Sequence, residues 1–262
     1  MVYPKTFLEE LGSVLLQIDF IGPRYLKGST DPLHFLSCKY VRPWKKHIFL
    51  RIPSPTSQAV LNAFFLLFYT LNLPLPDVMQ MDNGTAFRGF IERKGCVGKV
   101  IKWLCANGSI PLFNALNSPW NNGSVEGGNS VFDRKVWQSF QFTSIEEVDQ
   151  KLFEFNRAYD AYLLYDPQIL AKEKPSIDPR NIKAKEVRQL KQPYVYMLRV
   201  VRESYGRCQI EVLNRYITLP PQYKGQYVIA QINLSTHAIQ IWQEVKGEKT
   251  LLYAGAFLLN LG

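Results

Sequence analysis

Between Ser13 and Ile52 three apolar-rich runs follow one another so closely that no helix fits between them. In the first, Ser13–Tyr25, Val14, Leu16 and Ile18 alternate with Ser13, Leu15 and Gln17, and Gly22-Pro23 bends the run near its end. The second, His34–Tyr40, and the third, Lys46–Ile52, are separated by the basic turn Arg42-Pro43-Trp44-Lys45-Lys46. Alternation with period two and short connections predicts an antiparallel meander. The pattern then changes. Pro53–Thr56 has helix-start chemistry, and Val60, Phe64, Leu67, Phe68 and Leu71 follow at helical spacing until Pro74 and Pro76 end the run. Short strands are predicted at Val78–Met81 and Ile110–Phe113, and helices at Val97–Ala106, Asn121–Trp137 and Ser144–Leu164. The last of these opens with a capping box, Ser144-Ile145-Glu146-Glu147. Strands first in a meander and then alternating with helices predict an α/β chain with a mixed sheet.

Three acidic residues each stand just after an apolar run or on an apparent helix start. Asp19 lies in Leu15-Leu16-Gln17-Ile18-Asp19-Phe20, Asp82 in Met81-Asp82-Asn83-Gly84-Thr85, and Glu126 in Pro119-Trp120-Asn121-Asn122-Gly123-Ser124-Val125-Glu126. An aspartate among Ile18, Phe20 and Ile21 is an expensive buried charge unless a metal or partner meets it. Asp82 alone also fits an Asx turn, ordinary for Asp-Asn-Gly, and Glu126 alone fits a solvated helix residue. Taken together, three carboxylates on rigid elements can hold divalent cations for phosphoryl transfer on a nucleic acid backbone.

The order and contexts of these acids resemble the catalytic domain of DDE transposases and retroviral integrases, particularly bacterial insertion-sequence transposases. The resemblance covers about Val14–Tyr165 and rests on Leu15-Leu16-Gln17-Ile18-Asp19-Phe20, on Asp82-Asn83-Gly84-Thr85-Ala86-Phe87, and on the proline-to-glycine loop before Glu126. It implies a ribonuclease H-like fold, a mixed five-stranded sheet flanked by helices. It also implies that Asp19, Asp82 and Glu126 are both catalytic residues and ligands of Mg²⁺ or Mn²⁺, in a reaction that cleaves DNA and transfers strands. Asp19 would bridge two metals, with Asp82 and Glu126 each binding one. Forty-four positions separate Asp82 from Glu126 (126 − 82), longer than the interval that names the retroviral group, and the extra length is assigned to Arg88–Lys99. Seven positions after Glu126, where many relatives carry a basic residue, stands Asp133, followed by Arg134 and Lys135. Gly127-Gly128 within the helix costs about 1 kcal/mol per glycine relative to alanine, and close backbone approach to DNA is one reason to retain the pair.

Residues 166–191 hold three prolines and seven basic residues with little apolar periodicity, and read as a basic linker. Short β-rich runs follow over 192–262, separated by Tyr205-Gly206, Lys224-Gly225 and Lys246-Gly247, and predict a small β-barrel such as follows the catalytic domain in Mu-like transposases. The expected division is a lead-in over 1–12, a catalytic domain over 13–165, the linker, and a DNA-binding barrel. Of the net charge of +9, the 17 basic and 14 acidic residues of 1–165 supply +3 and the remaining 14 and 8 supply +6. A basic surplus in the smaller part suggests a polyanion partner, although a solvated surface fits as well. Candidate DNA contacts are Trp120, Asn121 and Asn122 in the loop, Arg134 and Lys135 on the glutamate helix, and Arg199, Arg202, Arg207 and Arg215 in the barrel. The implied partners are transposon ends and target DNA, bound by a homo-oligomer.

Cys38, Cys96, Cys105 and Cys208 form no C-x-x-C pair and read as buried free thiols. The apolar stretch Ala59–Leu71 is too short to cross a bilayer and the first residues lack a signal-peptide core, so no membrane and a cytoplasmic, nucleoid-associated location are expected. Asp19 lies only 18 positions after Met1, which leaves no room for the helix-turn-helix that reads element ends in relatives. The expected function is therefore that of a transposase without its end-recognition domain. The alternatives are a non-catalytic DNA-binding remnant or domesticated regulator of the same fold, and a ribonuclease H or related nuclease.

Overall fold

The computed structural model describes residues 3–89, 94–116, 123–163, 175–183 and 189–261. The predicted meander forms as β1 (Leu15–Tyr25), β2 (Pro32–Arg42) and β3 (Lys46–Ile52), paired antiparallel with Ile18 opposite Cys38 and Cys38 opposite Ile48. β4 (Val78–Met81) and β5 (Ile110–Phe113) add in parallel on the other side of β1. The sheet does not stop at five strands. β6 (Tyr194–Val200) pairs parallel with β5, and three further antiparallel strands extend it. These are β10 (Tyr227–Asn233), β11 (Ala238–Val245) and β12 (Glu248–Ala256). The complete order is β12-β11-β10-β6-β5-β4-β1-β2-β3.

The C-terminal part is β-rich as expected, but its strands continue the main sheet. Only β7 (Arg202–Ser204), β8 (Arg207–Val212) and β9 (Arg215–Thr218) form a separate three-stranded sheet. Among the described residues no pairing closes either set into a barrel. The edge of β5 accounts for the difference, because a parallel strand with open backbone groups is completed by the next strand that reaches it.

Alternation decides which side chains go to which face. Leu36, Cys38 and Tyr40 of β2 enter one cluster with Leu16 and Ile18, beneath α2 (Ser57–Phe65) and α4 (Lys99–Ala106). Phe35 of β2 and Phe49 of β3 face the other way, against α5 (Gly123–Phe132) and α6 (Ile145–Tyr162). The first cluster also holds Val195, Met197, Ile210, Ile239 and Ile241, so N- and C-terminal strands share one core. A six-residue helix not anticipated in the sequence, α1 (Lys5–Glu10), buries Phe7 and Leu8 beside Val78, Leu198 and Ile229. The Ser144–Glu147 capping box forms at the start of α6.

Two helices relax into π turns, Leu66–Thr70 after α2 and Asp133–Trp137 after α5. The short α3 (Thr85–Arg88) follows the Asp82 turn. All four cysteines are free; Cys96 is half-buried and the others are buried. Among the described residues no helix is long and apolar enough to cross a membrane. The described part of the expected linker is packed rather than free. Trp103 Nε1 donates to Ile177 O at 2.7 Å, Tyr69 Oη to Pro175 O at 2.7 Å, and the Arg180 guanidinium lies 3.4 Å over the Phe65 ring.

Candidate active site

β1 and β4 run side by side in parallel, with Gln17 opposite Gln80, so Asp19 and Asp82 leave neighbouring strands two residues further on. Period two places each aspartate on the same face as its preceding glutamine. α5 crosses that face and brings Glu126. Lys39 of β2 anchors the start of the helix, its Nζ donating to Ser124 O at 2.7 Å.

Two of the acids act on the third. Burial first, and then the charge of Asp82, push the Asp19 carboxyl up from 3.8 to about 6, and Glu126 adds to the rise. Burial also raises Asp82. Each aspartate is held locally. Asp19 Oδ1 accepts from Phe20 N at 2.9 Å, and Asp19 Oδ2 accepts from Asn129 Nδ2 at 3.0 Å. Asp82 Oδ1 accepts from Gly84 N at 2.8 Å, an Asx turn, so the ordinary turn role and a place in the acidic cluster coexist in one residue. Among the described residues no lysine, arginine or histidine pairs with Asp19, Asp82 or Glu126.

Repulsion felt at Asp19 is not the same as ligating distance. Among the described residues no three His, Cys, Asp or Glu side chains are disposed to hold a metal ion. The donor chemistry nevertheless fits a hard divalent cation: three carboxylates with no compensating cation among the described residues, and the buried Asn129 Oδ1 beside Asp19 with no hydrogen-bond partner among them. Glu126 is half-exposed on α5.

Behind the acids runs a buried chain of amides that no local motif announces. Gln17 Oε1 accepts from Val125 N at 3.2 Å, Gln17 Nε2 donates to Gln80 Oε1 at 3.0 Å, and Gln80 Nε2 donates to Asn114 Oδ1 at 2.6 Å. Asn83 Nδ2 donates to Asn114 O at 2.7 Å, and Arg199 of β6 donates to Asn83 Oδ1 at 2.9 Å. The three acid-bearing elements and a C-terminal strand are thus tied by one hydrogen-bonded path. The available signal in the sequence was a glutamine two residues before each aspartate and an asparagine one helical turn after Glu126.

The other candidates separate. Trp120, Asn121 and Asn122 lie outside the described residues. Arg134 and Lys135 are exposed on the π turn. Their neighbour Asp133 takes a two-pronged bond from Arg24, with Nη2 at 2.7 and 2.8 Å from its two oxygens. Arg199 does not belong on an outward DNA-facing surface. Its side chain is 2% exposed and donates to Glu211 O, Asn114 O and Leu198 O, because its strand lies inside the nine-stranded sheet. Arg202 and Arg207 are exposed, and Arg215 is half-buried with its guanidinium 5.4 Å from the Phe257 ring centre. Gly128 also has a different reason to be glycine: an added Cβ would fall 1.9 Å from His47 Cε1, so the helix needs glycine to reach the sheet. Gly127 faces open space.

No family model and no curated protein matches the chain.

Proposed function

We propose that the chain is a DDE-type transposase or integrase that cleaves and joins DNA, with Asp19, Asp82 and Glu126 as its catalytic carboxylates. The observation that carries this reading is the convergence of three acids from β1, the β4 turn and α5, close enough for two of them to raise the third, with no ion-paired cation among the described residues. The order β3-β2-β1-β4-β5, antiparallel and then parallel, supports reading these strands as a ribonuclease H-like sheet. Mg²⁺ or Mn²⁺ held by the three acids would supply activation of the attacking hydroxyl and stabilisation of the leaving 3′ oxygen.

The chain's own residues do the positioning. Asn129 orients Asp19, the Asx turn fixes Asp82, and Gln17 ties the backbone beside Glu126 to the two strands. DNA ends and target DNA are the substrates on this reading, and a homo-oligomer working on chromosomal DNA in the cytoplasm belongs to it. The second reading, a DNA-binding remnant without catalysis, is favoured by the one fact that the three side chains do not reach ligating distance.

Purified Asp19→Asn, Asp82→Asn and Glu126→Gln proteins decide between the two. On a DNA substrate with Mn²⁺, each is expected to lose about 100-fold or more of cleavage and strand transfer while keeping the wild-type circular dichroism spectrum. Wild-type protein that binds DNA but neither nicks nor joins it supports the remnant, and nicking without strand transfer points to a nuclease.

A further inference from the structure

A cavity of about 380 Å³ opens between the Asp82 turn and the small β7–β9 sheet. Asn83, the residue after Asp82, forms part of its wall, with Arg88 from α3, Arg199 from β6 and Arg202 from β7. Among the described residues Glu211 is the one carboxylate of that lining. It is already engaged, by Arg88 at 3.1 Å and Arg199 at 3.6 Å, so the wall carries more positive charge than its own acid can offset. Arg199 is consumed by its bonds to Asn83, Asn114, Leu198 and Glu211 and serves to hold the wall in place. Arg202, exposed, uses one nitrogen on Leu116 O at 3.0 Å. Tyr216, 70% exposed, adds an aromatic ring, and Asn214 adds an amide to the same lining.

A cationic wall, an accessible ring and a side-chain amide are the three things an unpaired nucleotide needs: phosphate contact, base stacking and base-edge hydrogen bonding. The volume lies at the lower end of small-ligand sites, roughly 300–1,000 Å³, and excludes a duplex. We propose that this cavity is a subsite for one unpaired nucleotide of a DNA strand whose neighbouring phosphate lies at Asp82. The inference rests on the reading of Asp19, Asp82 and Glu126 as the catalytic acids. It adds that DNA is splayed at this site, with one nucleotide drawn away from its complement.

The test is made on the full chain in EDTA, so that it reads binding and not chemistry. Fluorescence anisotropy compares a labelled single-stranded oligonucleotide with a hairpin duplex of the same sequence. Tyr216→Ala and Arg202→Ala are each expected to weaken single-strand binding about tenfold with a much smaller effect on the duplex, and Tyr216→Phe to bind as wild type. Equal losses on both DNA forms, or none on the single strand, overturn the subsite. Deoxyadenosine monophosphate serves as the competing free nucleotide and is expected to displace the strand only at large excess; displacement at concentrations equal to the strand's own Kd overturns a strand as the occupant. Cleavage lost in none of the acid variants, with the Tyr216 and Arg202 effects intact, would sink the catalytic reading alone.

Discussion

At the scale of single residues, Asp19 carries the clearest physical signature. Its carboxyl is raised to about 6 by burial and by Asp82, so below that pH the folded chain binds a proton that the unfolded chain has released. Stability therefore falls as pH rises from about 4 through 6, and at neutral pH the ionised group costs on the order of 2 kcal/mol, allowing for its partial access to solvent. Asp19→Asn should be more stable than wild type at pH 7 by about that amount in EDTA, and the advantage should shrink towards pH 4. Thermal unfolding of both proteins across this range checks it, and a difference independent of pH would show that the carboxyl is not perturbed. Gln80 gives a second prediction. Gln80→Leu removes the partner of both Gln17 Nε2 and Asn114 Oδ1 and should cost about 1–3 kcal/mol in denaturant unfolding, where an exposed glutamine would cost almost nothing.

Helix α5 shows how an element can look wrong in isolation and right in place. Two consecutive glycines in a helix that begins at Gly123 weaken it by about 1 kcal/mol each. The structure divides the pair: Gly128 is where the helix backbone meets the buried His47 ring, and Gly127 meets nothing. His47 is itself locked by stacking on Phe49 and by its Nε2 to Ser37 Oγ hydrogen bond of 2.7 Å, so it has little room to yield. Gly128→Ala should then destabilise by about 1–3 kcal/mol through overpacking, whereas Gly127→Ala should stabilise by about 0.5–1 kcal/mol. Urea unfolding of the two single variants measures opposite signs if the helix sits as described. Two destabilising results would place α5 elsewhere.

Across the whole molecule, the sheet joins what composition had divided. β6 pairs with β5, and Val195, Met197 and Val228 lie in the same cluster as Leu16 and Trp103. A fragment of residues 192–262 would expose that shared core and leave Arg199 without Asn83 and Asn114. It is expected to show no cooperative thermal transition, while the full chain shows one. A fragment that melts cooperatively would restore the barrel as an independent unit. The net charge of +9 has its consequence within the intact chain: log affinity for duplex DNA should fall linearly with log salt, and Arg207→Ala together with Lys135→Ala should lower the slope if these exposed residues meet phosphates.

Local pattern was enough to determine the elements: the meander, the helix after Pro53, the capping box on Ser144 and the short strands before Asp82 and at Ile110–Phe113. Each is set by side-chain periodicity or by a cap a few residues away, and such signals are complete within the segment that carries them. Local context likewise marked Asp19, Asp82 and Glu126, because a carboxylate just after an apolar run or at a helix start behind a proline-to-glycine loop is conspicuous before any partner is known. Tertiary structure alone decided that β6 joins the edge of β5, that Arg199 points inward, and that Gln17, Gln80, Asn83 and Asn114 form one path. Strand pairing joins residues far apart in the chain, such as Leu112 and Tyr196. A polar side chain on a strand acquires its partner only when register and neighbouring strand are set, and neither is encoded next to it.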